Sequence, residues 1–167
     1  FRQERLNEIY VEKESRCQQA YRPKRELIKG LHEVLVIAEK EKISIGIGSA
    51  AIPFNIDFVL DKLDVRHCFK AIVSAEDVVT SKPHPETFTQ CARLLKVAPE
   101  NCIVFEDAPN GVEAANNASM KAVVLTTMHE KEEFAYYKNI IGFIDDYSGV
   151  NPQSIIEWFK NSKTKSS

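Results

Sequence analysis

The sequence predicts an α/β fold, a three-layer sandwich with a parallel sheet between two layers of helices. Three observations predict it. From Ile43 onward, short β-rich apolar runs alternate with segments whose apolar residues recur at helical spacing. The connections are short, so each helix must carry the chain back across a sheet of parallel strands. Finally, polar residues able to do chemistry follow the strands directly: Ser49, Lys82 and the pair Glu106-Asp107. Sheets of this kind bind ligands beyond the carboxyl ends of their strands.

Phe1 to about Tyr21 is charged and free of proline, with Leu6, Ile9, Tyr10 and Cys17 at roughly helical spacing, and reads as a helix with one apolar stripe. Pro23 ends it. A second helix carries Leu27, Leu31, Val34, Leu35 and Ala38 on one face. The run Ile43 to Gly48 is a strand, and Pro53 opens a helix with Ile56, Val59, Leu60 and Leu63 facing inward. Phe69 to Ala75 is a strand. Pro85 starts a helix that buries Phe88, Cys91, Ala92 and Leu95. Cys102 to Phe105 is a strand, and a Pro-Asn-Gly turn at 109–111 leads into a helix lined by Val112, Ala115 and Ala118. Ala122 to Leu125 and Ile140 to Ile144 are strands flanking a short helix over Glu132 to Tyr137. Ser154 to Phe159 closes the fold as a helix, and the polar end KNSKTKSS reads as frayed.

The 167 residues are enough for one domain with a real core, and 44% apolar with 28% charged residues is an ordinary globular composition. A net charge of −2 supplies no basic field for nucleic acid or an anionic membrane. The longest aliphatic run, Val34 to Ala38, is far too short to span a bilayer. Cys17, Cys68, Cys91 and Cys102 form no CxxC pair, so neither zinc nor a disulfide framework is suggested, and a cytoplasmic location is expected.

Each rim residue admits a plain and a functional reading. Ser49, in Gly48-Ser49-Ala50, is either a capping serine in a turn or, with the backbone N–H groups there, a holder of a phosphate oxygen. Gly46 to Ala51 also matches a GxGxxA dinucleotide fingerprint. That match is weak, since Pro53 delays the helix and Glu76 comes too late and in a loop. Lys82, between the strand and Pro83-His84-Pro85, is either a solvated turn lysine or a point charge projected into the cleft; the sequence indicates no partner for His84, which reads as a turn residue. Glu106 and Asp107 either cap the next helix or share a cation. Two carboxylates ~4 Å apart repel by ~4 kcal/mol at an effective dielectric of ~20, and Mg²⁺, which prefers oxygen ligands and keeps waters, suits them. Taken together on one edge, a hydroxyl, an ammonium and an acid pair describe a phosphate–metal site.

With these motifs the sequence resembles the haloacid dehalogenase superfamily, over roughly Pro23 to Phe159. "IGIGSAA" resembles its second motif, "SKPHPETF" its third and "VFEDAPNGVEAA" its fourth, and KPxPxxF followed by FEDAxxGxxAA resembles the β-phosphoglucomutase-like branch, which includes sugar-phosphate phosphatases. The resemblance implies a Rossmann-like core over 22–160, a remnant of a helical cap in 1–21 and a flexible tail over 161–167. It implies that Ser49 and the Ala50 backbone bind phosphate, that Lys82 steadies phosphate and nucleophile, that Asp107 ligates Mg²⁺ and that Glu106 is a second ligand, direct or through water. The family's first motif, DxDGT or DxDST, is absent; Asp145-Asp146 follows an apolar run but lacks the small-residue turn and reads as a surface loop. In this family that motif closes a strand lying between those that end at Ser49 and Asp107. An upstream segment carrying this first strand, the nucleophilic Asp and most of the cap is therefore expected to complete the sheet.

The resemblance thus implies a phosphatase acting on a small phosphorylated sugar through an aspartyl-phosphate. A β-phosphoglucomutase-type mutase is the alternative within the family. A non-catalytic module that binds phosphate and Mg²⁺ is the alternative of another class, and nicotinamide binding is a distant third.

Overall fold

The computed structural model describes residues 27–164. The helix expected over Phe1 to Tyr21 and the last residues of the tail lie outside that range.

Strand and helix alternate as the pattern predicts. The helices are α1 (Leu31–Lys40), α2 (Pro53–Leu63), α3 (Glu86–Leu95), α4 (Pro109–Asn117) and α5 (Pro152–Thr164), and the strands are β1 (Gly46–Gly48), β2 (Ala71–Val73), β3 (Ile103–Glu106), β4 (Lys121–Leu125) and β5 (Ile140–Ile144). All paired strands are parallel. They form two sheets, one ordered β1-β2 and one ordered β3-β4-β5. β1 and β3 belong to different sheets and both line a largely apolar cavity of about 480 Å³.

The strand period of two sets which face each residue meets. In β1, Ile47 packs with Ile45 into a cluster with Leu35, Ile56, Leu60 and Val65 from α1, α2 and the turn after α2. Gly46 and Gly48 face the other way, onto α3. A Cβ at 48 would stand 3.0 to 3.1 Å from the Phe88 ring and Thr87, so the glycine lets helix and strand approach. The second sheet has a fuller core: Val112, Ala114 and Ala115 of α4 and Ala122 and Val124 of β4 are fully buried, with Phe134 packed against them.

Several local expectations change. The strands are shorter than the apolar runs, because β1 begins only at Gly46 and β2 ends at Val73. Val59 is 45% exposed rather than inward, while Ile56 and Leu60 are buried. Pro109-Asn110-Gly111 is not a turn ahead of the helix but its first turn, with Pro at the first position where its missing N–H costs nothing. The segment after β4 forms a 3-10 turn at Lys131–Phe134. The last helix is longer than its apolar pattern predicts and continues to Thr164. Among the described residues, no helix is long and apolar enough to cross a membrane.

Candidate functional site

The question raised by two adjacent acids is answered in part by the residue facing them. Lys82 Nζ lies 2.5 Å from Glu106 Oε1, and both side chains are nearly buried, 11% and 12% exposed. The other Glu106 oxygen accepts the Asp107 backbone N–H at 3.0 Å. Glu106 is thus neutralised by a lysine 24 residues away in sequence. Asp107, the next residue, leaves the strand and is half-buried; among the described residues its carboxylate has no hydrogen bond or ion pair.

Local structure explains the fit. Glu106 is the last residue of β3, so its side chain emerges at the carboxyl rim. The helix that follows turns back over it, and a Cβ on Gly111 would run into the Glu106 carboxylate, which only glycine avoids. On the other side the Lys82 ammonium sits 4.4 Å above the Phe88 ring, an aromatic face that suits a cation with little water around it. Phe88 also packs beneath Gly48, so the end of β1 reaches the same corner.

Ser49 follows Gly48 at the end of β1. Its N–H donates to Val73 O at 2.9 Å and its Oγ accepts the Ala51 N–H at 3.0 Å, which leaves the hydroxyl proton for another acceptor. Ala50 lies exposed in the same turn. Gly48, Lys82 and Glu106 all line the one cavity. His84 sits in the proline-rich turn with its Nδ1 3.7 Å from Glu86 Oε2. Asp146 accepts the Ser148 N–H at 2.7 Å in a surface loop, as a loop residue would.

Among the described residues, no group of three or more His, Cys, Asp or Glu stands close enough to hold a metal by itself. The donor set still fits Mg²⁺. This hard cation needs only one or two carboxylates and fills its remaining positions with water and substrate oxygens. Asp107 is the carboxylate that would hold it, next to Glu106, whose two oxygens already accept from Lys82 and the Asp107 N–H.

Three residues near the site were given no role by the sequence, although Glu86 lies inside the segment SKPHPETF. Tyr147, just after β5, packs its ring 5.5 Å from that of Phe105 at a tilt of 42° and lines the cavity. Burial pushes its phenol up to about 12, with a further push from the charges of Asp107 and Glu106, so it stays protonated beside them. Glu86 accepts the N–H groups of Val79 and Thr80, and Asn117 donates to Pro83 O, all on the loop that bears Lys82. An acid in the first turn of a helix is a readable signal for Glu86, but its partners are not. Among the described residues, Cys68, Cys91 and Cys102 are free thiols, and burial pushes Cys91 up to about 11, away from the thiolate form that reacts.

Fold and rim together define an α/β protein of the kind that takes small ligands at the carboxyl ends of parallel strands. Residues 2–125 match the family model described as haloacid dehalogenase-like hydrolase, and the chain belongs to that family. It is 35% identical over 101 residues to hexitol phosphatase B of Escherichia coli K12, covering 60% of this chain and 46% of that protein. It is 42% identical over 84 residues to a fructose-1-phosphate phosphatase of the same organism, covering 50% and 44%. The crystal structure of β-phosphoglucomutase from Clostridium difficile superposes with a TM-score of 0.72 at 29% identity, over 82% of this chain and 58% of that one. The chain spans about half the length of the curated relatives it matches.

Proposed function

We propose that the polypeptide carrying this chain is a cytoplasmic Mg²⁺-dependent phosphatase of small phosphorylated sugars. The observation that carries the reading is the nearly buried Lys82–Glu106 pair, set beside an unpaired Asp107 carboxylate at the carboxyl rim. The names of the two Escherichia coli relatives support the substrate class.

In this reading Ser49 donates its hydroxyl proton to one phosphate oxygen, the Ala50 N–H approaches a second, and Lys82 places its ammonium against the phosphoryl group. Glu106 fixes that ammonium in position, and Asp107, with Glu106 next to it, holds Mg²⁺. When bound, Mg²⁺ supplies positive charge to the phosphate oxygens as charge builds up. Such placement of charge, rather than bond-making by the protein, dominates phosphoryl transfer.

The attacking carboxylate is assigned to a strand from upstream of Phe1 that enters between β1 and β3. The apolar cavity between the two separate sheets supports that assignment. Its oxygen forms a bond to phosphorus as the ester P–O bond breaks, and the leaving sugar oxygen takes a proton from a second aspartate of that same upstream segment, which would later take one from the attacking water. Water then cleaves the acyl phosphate and releases inorganic phosphate. The residues encoded before Phe1 test this part, since the absence of an aspartate at the end of an apolar run would remove it.

The structural likeness to a β-phosphoglucomutase favours a second reading, in which a sugar hydroxyl takes the phosphoryl group in place of water. A panel of sugar phosphates with and without Mg²⁺, on the full-length polypeptide, tests both. Inorganic phosphate released only with Mg²⁺ supports the phosphatase, and a phosphate moved within the sugar without release supports the mutase. Mg²⁺ and phosphate binding without either product would mark a binding module instead.

A further inference from the structure

The loop that carries Lys82 has little apolar anchorage of its own. Val79 is 95% exposed, and Thr80, Ser81, Pro83 and His84 are exposed as well, yet the Lys82 side chain in their midst is only 11% exposed. A side chain of four methylenes loses about 2 kcal/mol of rotamer freedom when fixed, and an exposed loop does not by itself supply the rigidity to fix it. Two polar straps flank the lysine. On its amino side, the Glu86 carboxylate accepts the N–H groups of Val79 at 2.9 Å and Thr80 at 3.0 Å. On its carboxyl side, Asn117 Nδ2 donates to Pro83 O at 3.0 Å.

The elements that provide the straps matter. Glu86 is the first residue of α3, whose Phe88 lies under the ammonium. Asn117 is the last residue of α4, the helix that starts two residues after Asp107. The loop is therefore tied to the two helices that border the acid pair. The backbone N–H groups donating to Glu86 hold its carboxyl below the usual carboxylate range, so it remains a charged acceptor near neutrality.

We infer that Glu86 and Asn117 are positioning residues for Lys82: together they fix the backbone on both sides of it, so that its ammonium meets Glu106 and the substrate phosphoryl group. The inference rests on the proposed role of Lys82. Neither residue touches the reacting atoms, and each acts through the lysine.

The test uses the full-length polypeptide with p-nitrophenyl phosphate and Mg²⁺, together with amide hydrogen exchange. Glu86→Ala is expected to expose the Val79 and Thr80 amides to fast exchange. It should lower kcat about 10-fold or more, with KM changed by less, since a displacement of about 1 Å at a reacting group can cost as much as 100-fold. Asn117→Leu, at an exposed site, is expected to lower kcat several-fold with an unchanged melting temperature. Unchanged amide protection in Glu86→Ala, or lost protection with parental kcat, would overturn the inference. So would a kcat for Asn117→Leu equal to that of the parent. Lys82→Met serves as the control: if it turns over like the parent, the role of Lys82 itself is wrong and the inference falls with it.

Discussion

The two sheets are built from the same parts and differ in how completely they are covered. Around β4 the core is closed: Ala122, Val123 and Val124 are 0% exposed, and Phe134 is 1% exposed against them. Around β1 every strand residue is only half-buried, and Leu35, though 3% exposed to solvent, also lines the cavity between the sheets. The acids Glu106 and Asp107 stand at the end of β3, which pairs with the closed β4 on one side and borders the cavity on the other. The open half presents Ser49, and Lys82 crosses from its side to reach Glu106. The rim is therefore assembled from both halves, and its geometry depends on the packing between them.

The comparison can be broken by one truncation to alanine on each side, read against the usual range for its side chain. Phe134→Ala is expected to cost about 3–5 kcal/mol, because a closed core leaves the cavity unfilled. Leu35→Ala should fall at the low end of its class, about 2 kcal/mol, because its surroundings already border open space. Denaturant titration of both variants decides this, and equal losses would remove the distinction. Gly111→Ala sharpens it at the site. A methyl group there drives into the Glu106 carboxylate, and overpacking of this kind costs about 1–3 kcal/mol. Part of that loss is offset by the better helix propensity of alanine. Turnover should fall with it as Glu106 leaves Lys82, whereas a stabilised and fully active variant would show that the acid has room elsewhere.

The smallest effect lies at the end of β2. Ser74 is 2% exposed; its hydroxyl donates to Asp77 Oδ2 at 2.6 Å and its N–H to the same oxygen at 2.7 Å, while Oγ accepts the Glu76 N–H. The Ser74 hydroxyl first, and then its backbone N–H, hold the Asp77 carboxyl below its usual value of 3.8. A depressed folded pKa stabilises the protein above that usual value and the contribution is lost as pH falls through the lower folded one. Ser74→Ala should cost about 1 kcal/mol at neutral pH. Its melting temperature should then respond less than that of the parent to acidification below about pH 4.

Much of this was readable in the chain. Alternating periods predict the order of strands and helices, and "FEDAPNGVEAA" and "SKPHPETF" point to the residues that the structure brings into contact, Lys82 and Glu106. The readable part is local or depends on motif. The unreadable part is a matter of what lies across space. Gly111 fits a turn or a close contact equally well in sequence, and only the Glu106 carboxylate above it separates them. Val59 shares the helical stripe of Ile56 and Leu60, but among the described residues it stays 45% exposed. Glu86, Asn117 and Tyr147 act through partners 7, 34 and 42 positions away, Val79, Pro83 and Phe105, which no periodicity links to them.

The central claim is that Asp107 holds the cation which works with Lys82 and Ser49 on one phosphoryl group. The direct measurement is the Mg²⁺-dependent release of phosphate from a sugar phosphate by the full-length polypeptide and its Asp107→Asn variant. The account predicts a fall of at least about 100-fold in the variant, the scale of losing one preorganised electrostatic contact in such a site, with the fold intact by circular dichroism. A folded Asp107→Asn protein that releases phosphate at the parental rate and with the parental Mg²⁺ dependence would contradict it.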